Sequence, residues 1–543
     1  MRNYLYKLFC IIFLLFFAIL LIPERFTASL NAGNRYKYLY EGLPFEMPFI
    51  DHPQFPPNEV NLKDYGGIAD GMYINTEVFE KAFKALSEKG GGTLIVPSGI
   101  WFTGPIVFRS NINLHLEKGA LILFSSDFNL YPLVKTVYEG LDTYRCQSPV
   151  SGRNLENIAI TGEGSINGSG EAWRPLKKDK VTESHWNKVV GAGGVLKDSN
   201  YWFPSEKSLL GESLNANTPN GRFSDEDRLS FKDYLRPVML SFIECKNVLL
   251  EGVLFENSPS WNIHPLMCEN VIIDNITVRN PAYSQNGDGI DLESCVNSII
   301  VDCVFDVGDD AICIKSGKDE DGRRRARPAV NLIVDNCKVF KGHGGFVVGS
   351  EMSGGVRNIS VSNCQFLGTD VGLRFKANRG RGGVVENIYI NNINMFNIAT
   401  ESFLFDLYYG DKSNPDDIPP VDETTPVFRN IYVKNLISRN AKRAMFFNGL
   451  PEMNINNIHV ENVVITAVTG AELSELERIK LTNIEIIPET GPALILNNVK
   501  DMQVNGFKYP EQLTEAVRIT GNKNKTIQLP KAINKNNIVE NLK

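Results

Sequence analysis

Four short stretches between Asn286 and Lys376 hold the residues best suited to chemistry. They are Asn286-Gly287-Asp288, Asp309-Asp310, Gly342-His343-Gly344 and Arg374-Phe375-Lys376. Three carboxylates, one imidazole and two cations suit acid–base cleavage of a glycosidic bond beside an anionic sugar. One carboxylic acid would protonate the leaving oxygen while another carboxylate activates water. Arginine and lysine would hold a sugar carboxylate. Asp288 precedes Asp309 and Asp310 by 21 and 22 residues. If that interval is one turn of a coil, stacked turns about 4.8 Å apart bring these acids onto one patch of surface. Crowding then separates their pKa values, so that one can keep a proton.

Each candidate has a plainer reading. Lone aspartates usually cap turns, and Asp274 and Asp291 are read that way. Asp309 and Asp310 would face opposite ways in a regular strand, so both serve a site only if Gly308 marks a bend. A lone histidine is usually structural, but glycines on both sides of His343 allow close approach of a ligand. Arg374 and Lys376 share one strand face and need a substrate carboxylate or a nearby aspartate. The run Arg323-Arg324-Arg325 with Arg327 is either solvated or an extension of a groove for an acidic substrate.

What could position these residues is an internal repeat. An asparagine followed by an aliphatic alternation recurs at Asn157, Asn247, Asn270, Asn297, Asn331, Asn358, Asn387, Asn430 and Asn457. From Asn247 the steps are 23, 27, 34, 27, 29, 43 and 27 residues. Short strands at such steps without intervening helical patterns indicate an all-β parallel β-helix, with its insertions in outer loops. A β-sandwich would need hairpin signals that are scarce here. An amphipathic helix from Asn75 to Lys89, with Asn75 as N-cap, buries Val78, Phe79, Ala82, Phe83 and Leu86 and caps the open end. Residues 169–234 interrupt the repeat with Trp173, Trp186 and Trp202 and are read as a loop excursion folded against the coil. The repeat domain is placed at 45–515, with 516–543 a polar tail contributing little to the core.

The chain has 543 residues, 43% of them hydrophobic, and a formal net charge of -7. An acidic balance argues against a nucleic-acid partner. Residues 1–28 read as an export signal: Arg2 and Lys7, an apolar run from Leu8 to Ile22, and a small-residue exit at Thr27-Ala28. The expected location is secreted or periplasmic, with no membrane contact beyond that signal. Without residues 1–28 the charge is 53 minus 62, or -9. Cys10 leaves with the signal and Cys146 stands apart. The other seven cysteines, mostly at fixed phase in the repeat, are read as stacked free thiols rather than disulfides.

At these motifs the chain resembles glycoside hydrolase family 28, the polygalacturonases and their relatives. That family shows Asn-Thr-Asp, Asp-Asp, Gly-His-Gly and Arg-Ile-Lys in the same order, with Gly287 and Phe375 the departures here. The resemblance spans roughly 60 to 510. It implies a right-handed, single-stranded parallel β-helix of the pectin-lyase type and inverting hydrolysis, with no cofactor or metal. It makes Asp309 the general acid, Asp288 and Asp310 the groups that hold and deprotonate water, and His343 an assistant to the acid. Arg374 and Lys376 would hold a galacturonate carboxylate, with Asn286 and either Tyr408 or Tyr409 completing the binding set. The 169–234 excursion is similar to that of bacterial exo-acting members, where inserted loops block one end of the cleft. The implied partner is pectic galacturonan, with rhamnogalacturonan the alternative. A calcium-dependent lyase or a binding-only β-helix would not require the three aspartates.

Overall fold

The computed structural model describes residues 35–217, 222–411 and 418–541. The expected leader, residues 1–28, lies outside them. The chain is a right-handed parallel β-helix, its 31 main strands joined in one continuous parallel system. Each coil pairs in register with the next: Val248 with Val271, Ile299 with Ile333, Val334 with Val361. Inward side chains of every coil, such as Ile312 and Ile314, or Phe346 and Val348, form one unbroken apolar core. Full burial of such a side chain is worth about 1.5–3 kcal/mol, repeated coil after coil.

The repeat asparagines are the turn device. Asn157, Asn247, Asn270, Asn297, Asn331, Asn358, Asn387, Asn430 and Asn457 all have φ between 53 and 61°. Among side-chain-bearing residues asparagine tolerates that left-handed conformation well. Each amide donates to the asparagine one coil earlier, from Asn457 back to Asn111. The steps vary widely in sequence, yet the ladder is continuous because the extra residues bulge outward.

The capping helix spans Thr76–Glu88 and buries the five expected residues. Asn75 stands at its N-cap, its carbonyl accepting from Val78 and Phe79, but its side chain makes no capping hydrogen bond. Its side chain is fully buried and bonds the backbone of Ile68, Tyr73 and Phe102, tying the opening loop to the first coils. Ahead of the helix, Tyr36, Leu39 and Ile50 strap across the outer side chains of Ala159, Leu249, Ile272, Ile299 and Ile333. Asp274 accepts from the Tyr36 hydroxyl at 2.6 Å and pairs with Arg35 at 2.9 Å, so it is a tether rather than a turn cap.

Three further departures concern the C-terminal end, the excursion and a hairpin, while the cysteines are as expected. The expected tail from 516 instead extends the coil through Val517–Thr520, Lys525–Gln528 and Ile538–Asn541. Ala516, Val517, Ile519 and Ile533 are buried. Their spacing is thin because asparagines and lysines face solvent around the last turns. Among its described residues the 169–234 segment builds three short α-helices and a three-stranded antiparallel sheet of its own. Its Trp186 and Trp202 pack toward Tyr283, just ahead of Asp288. A hairpin, Leu133–Tyr138 with Leu141–Cys146, also leaves the coil, turning on Glu139 and Gly140 with φ 50 and 70°. The eight described cysteines are free and buried. Cys245, Cys268 and Cys295 occur at matching phase, as do Cys303, Cys337 and Cys364, while Cys313 lies on the cleft sheet.

Candidate active site

The cleft sheet is the stack Leu240–Ile243, Ile263–Leu266, Ile290–Glu293, Ile312–Lys315, Gly344–Gly349 and Val371–Lys376. Corners just before these strands carry the acids. The Asn262 amide donates to the Asp288 carbonyl and the Gly289 amide to the Asp310 carbonyl, so Asn262, Asp288 and Asp310 stand on successive coils. Asp309 and Asp310 lie in a bend between Val304–Asp306 and Ile312–Lys315, so strand alternation does not separate them. Gly308 permits this bend, since a Cβ there would meet Ser284 Oγ at 2.4 Å and Pro281 O at 2.6 Å. Asp288, Asp309 and Asp310 each present an oxygen within 4.8 Å of the others. That is tighter than the usual span of about 6.5–9.5 Å between acid and base in inverting enzymes.

The three acids sit in different electrostatic surroundings. Asp310 accepts from Lys376 Nζ at 2.6 Å and from Arg374 Nη1 at 2.8 Å. Burial alone would raise its pKa, but these cations hold it well below the usual carboxylate range. Its oxygens are thus committed, which makes this corner a poor cation ligand. Asp288 is buried, and burial, reinforced by Asp291 and Asp309, pushes its carboxyl well up. Asp309 is the most accessible, with a side chain 23% exposed, and accepts from or donates to His343 Nδ1 at 3.0 Å. That hydrogen bond raises the imidazole's pKa against the effect of burial.

Two binding candidates are sorted by position. The Tyr409 ring lies 5.0 Å from Lys376 Nζ and 5.5 Å from the Arg374 guanidinium. Tyr408 packs instead on the core, with Arg379 over its ring. Asn286 accepts from Arg236 Nη2 at 2.9 Å, which anchors the loop leading into Asp288. Three arginines of the run are spent on internal ties. Arg325 reaches Asp142 at 3.1 Å, Arg324 reaches Asp321 at 2.7 Å, and Arg323 bonds the carbonyls of Gly380 and Arg381. They bolt the helix Asp319–Arg325 to the hairpin and to a neighbouring loop.

Beneath the acids lies a set that motif spacing did not show. Lys315, almost fully buried, bridges Glu351 at 2.8 Å and Asp291 at 3.4 Å, with its ammonium 4.5 Å from the Trp261 ring centre. Asp291 is therefore not a turn cap. Burial raises its carboxyl to about 8 despite Lys315. The only sequence signal was that Asp291 and Lys315 fall at outward positions of cleft strands.

Gly287, where the family motif has threonine, has no room for a side chain: a Cβ there would stand 2.0 Å from Ser284 Oγ and 2.8 Å from Ser284 Cβ. Gly287→Thr is expected to cost about 1–3 kcal/mol, as overpacking does. Pairing it with Ser284→Gly should recover most of that loss. Thermal melts of the two variants check this, and an unchanged melting temperature for the single variant would refute it.

Residues 220–487 match the profile described as Glycosyl hydrolases family 28. The crystal structure of a hyperthermoactive exopolygalacturonase from Thermotoga maritima is 34% identical with a TM-score of 0.67, covering 84% of this chain and 94% of that one. The chain belongs to glycosyl hydrolases family 28. As a family 28 protein it is a glycoside hydrolase. Other family relatives are a probable polygalacturonase of Vitis vinifera, 28% identical over 76% of both chains, and an exo-poly-alpha-D-galacturonosidase of Dickeya chrysanthemi. The latter is 25% identical over 79% of this chain and 71% of its own.

Proposed function

We propose that this family 28 hydrolase removes α-linked galacturonic acid from the ends of pectic galacturonan, by inversion, after export directed by residues 1–28. What carries the reading is the seat formed by Arg374, Lys376 and Tyr409 directly beside three clustered acids, which suits a uronate next to the bond being cut. Support for end-wise action comes from the hairpin and the 169–234 segment, which wall the coils before Asp288. Tyr138 stacks on Trp261 at 4.8 Å, and Tyr201 donates to Gln285 at 2.9 Å.

In this mechanism Asp309, the acid open to the cleft, gives its proton to the glycosidic oxygen. Water held between Asp288 and Asp310 attacks the anomeric carbon from the other face. Asp310, kept ionised by its two cations, takes the water's proton, and Asp288 orients the water. His343 restores the acid between turnovers. Polygalacturonate digestion is expected to yield saturated monomeric galacturonic acid, first formed as the β-anomer, in the presence of chelator. Time-resolved NMR and chromatography decide it. Mid-length oligomers would refute end-wise action, and an α-anomer would refute inversion.

A further inference from the structure

The charge along the cleft can be read by register. Arg374 pairs with Leu404, Leu404 with Phe446 and Phe446 with Glu472. Two positions on, Lys376 pairs with Asp406, Asp406 with Asn448 and Asn448 with Ser474. At these two register positions the cations stop at one coil, and the next three carry acids or neutral side chains. Arg443, 4.2 Å over the Phe446 ring, lies between Glu401 at 3.3 Å and Glu472 at 3.1 Å, so it is outnumbered two to one. Before Asp288 the sign reverses. Arg145 stacks on Tyr138 and donates to Asn217, while Arg236 donates to Asn286 and to the carbonyls of Pro259 and Gln285. Among the described residues neither arginine has a carboxylate in salt-bridge contact. Charge along the cleft therefore runs from Arg236 at its walled end to Asp406, Glu401 and Glu472 at its open end.

A galacturonan carries one carboxylate on every sugar, and each sugar covers roughly one coil step of about 4.8 Å. Resting on the end-wise reading above, we infer that this cleft is matched to short galacturonides, with the terminal residue toward Arg236 and the next on Arg374 and Lys376. A third and fourth uronate would lie over Asp406 and toward Glu401 and Glu472, where like charges oppose them. The reaction supplying such a substrate is internal cleavage of a polyuronate into oligomers, which this enzyme would reduce to monomer.

The test compares kcat/KM per chain end on di-, tri- and polygalacturonate at about 0.01 M and about 0.1 M salt, where charges are screened beyond roughly 30 and 10 Å. At low salt the dimer is expected to exceed the polymer by about tenfold, with the gap narrowing at higher salt as the repulsion is screened. The variant Glu401→Gln/Glu472→Gln, with the single Glu472→Gln as a check on folding, should raise low-salt polymer turnover by about three- to tenfold and leave the dimer unchanged. Equal or faster polymer turnover per end in the wild type at low salt would overturn the inference, as would variants that leave the ratio unmoved. Either result could come with monomer as sole product, so the end-wise reading would stand or fall separately on product length.

Discussion

Asp309→Asn is expected to lower kcat by about 10²–10⁴-fold, the usual worth of a positioned general acid, with KM little changed. Asparagine keeps the oxygen that accepts the Asp310 amide at 3.0 Å and can still bond His343, so the bend survives. What it loses is the proton for the leaving oxygen. Stability should stay within about 0.5 kcal/mol, as for a substitution that breaks no buried feature. Steady-state kinetics on digalacturonate with a melting curve separates the two effects. Near wild-type turnover would transfer the acid's role to Asp288, whose carboxyl burial pushes well up.

Lys376→Met is expected to reduce both stability and activity. Lys376 and Asp310 are both buried, their side chains 8% and 1% exposed. Removing one partner of such a pair typically costs about 3–5 kcal/mol, because a charge is left desolvated. That is a large part of the 5–15 kcal/mol that holds a typical protein folded. The pH dependence carries a definite sign. Asp310's folded pKa is depressed, so its contribution is present above the unfolded carboxylate value near 3.9 and fades as pH falls through the folded value. With Lys376 gone the folded value climbs toward the unfolded one, and this stabilisation shrinks throughout that range. Denaturant titrations at several acidic pH values check it. A loss under about 1 kcal/mol would mean that Arg374 alone holds Asp310.

What could be read from the chain and what could not divides along a physical line. The coil was legible because its turns favour one residue type in one backbone conformation, leaving asparagine before most of the aliphatic runs. The four motifs were legible because each sits within a few residues of its own strand. Lys315 was not, since its partners Asp291 and Glu351 come from neighbouring coils 24 and 36 residues away and nothing local marks the pairing. Asn75 looked like a helix cap because a cap and a buried loop-tie use the same amide. The hairpin at Glu139-Gly140 was missed because glutamate rarely takes its left-handed turn position. The last coils hid behind asparagine and lysine because only their inner faces are apolar.

The amide ladder from Asn111 to Asn457 has a bearing on how such a protein can be altered. Spacing between the clustered acids is set by stacking height and not by how many residues lie between rungs. A loop at the rim can therefore be lengthened, shortened or swapped while the distances among Asp288, Asp309 and Asp310 are preserved. Altering a rung is different in kind: it breaks a link to the coil above and another to the coil below, and the damage should propagate along the axis instead of staying where it was made. Engineering for new substrates belongs at the rim, with the rungs left untouched.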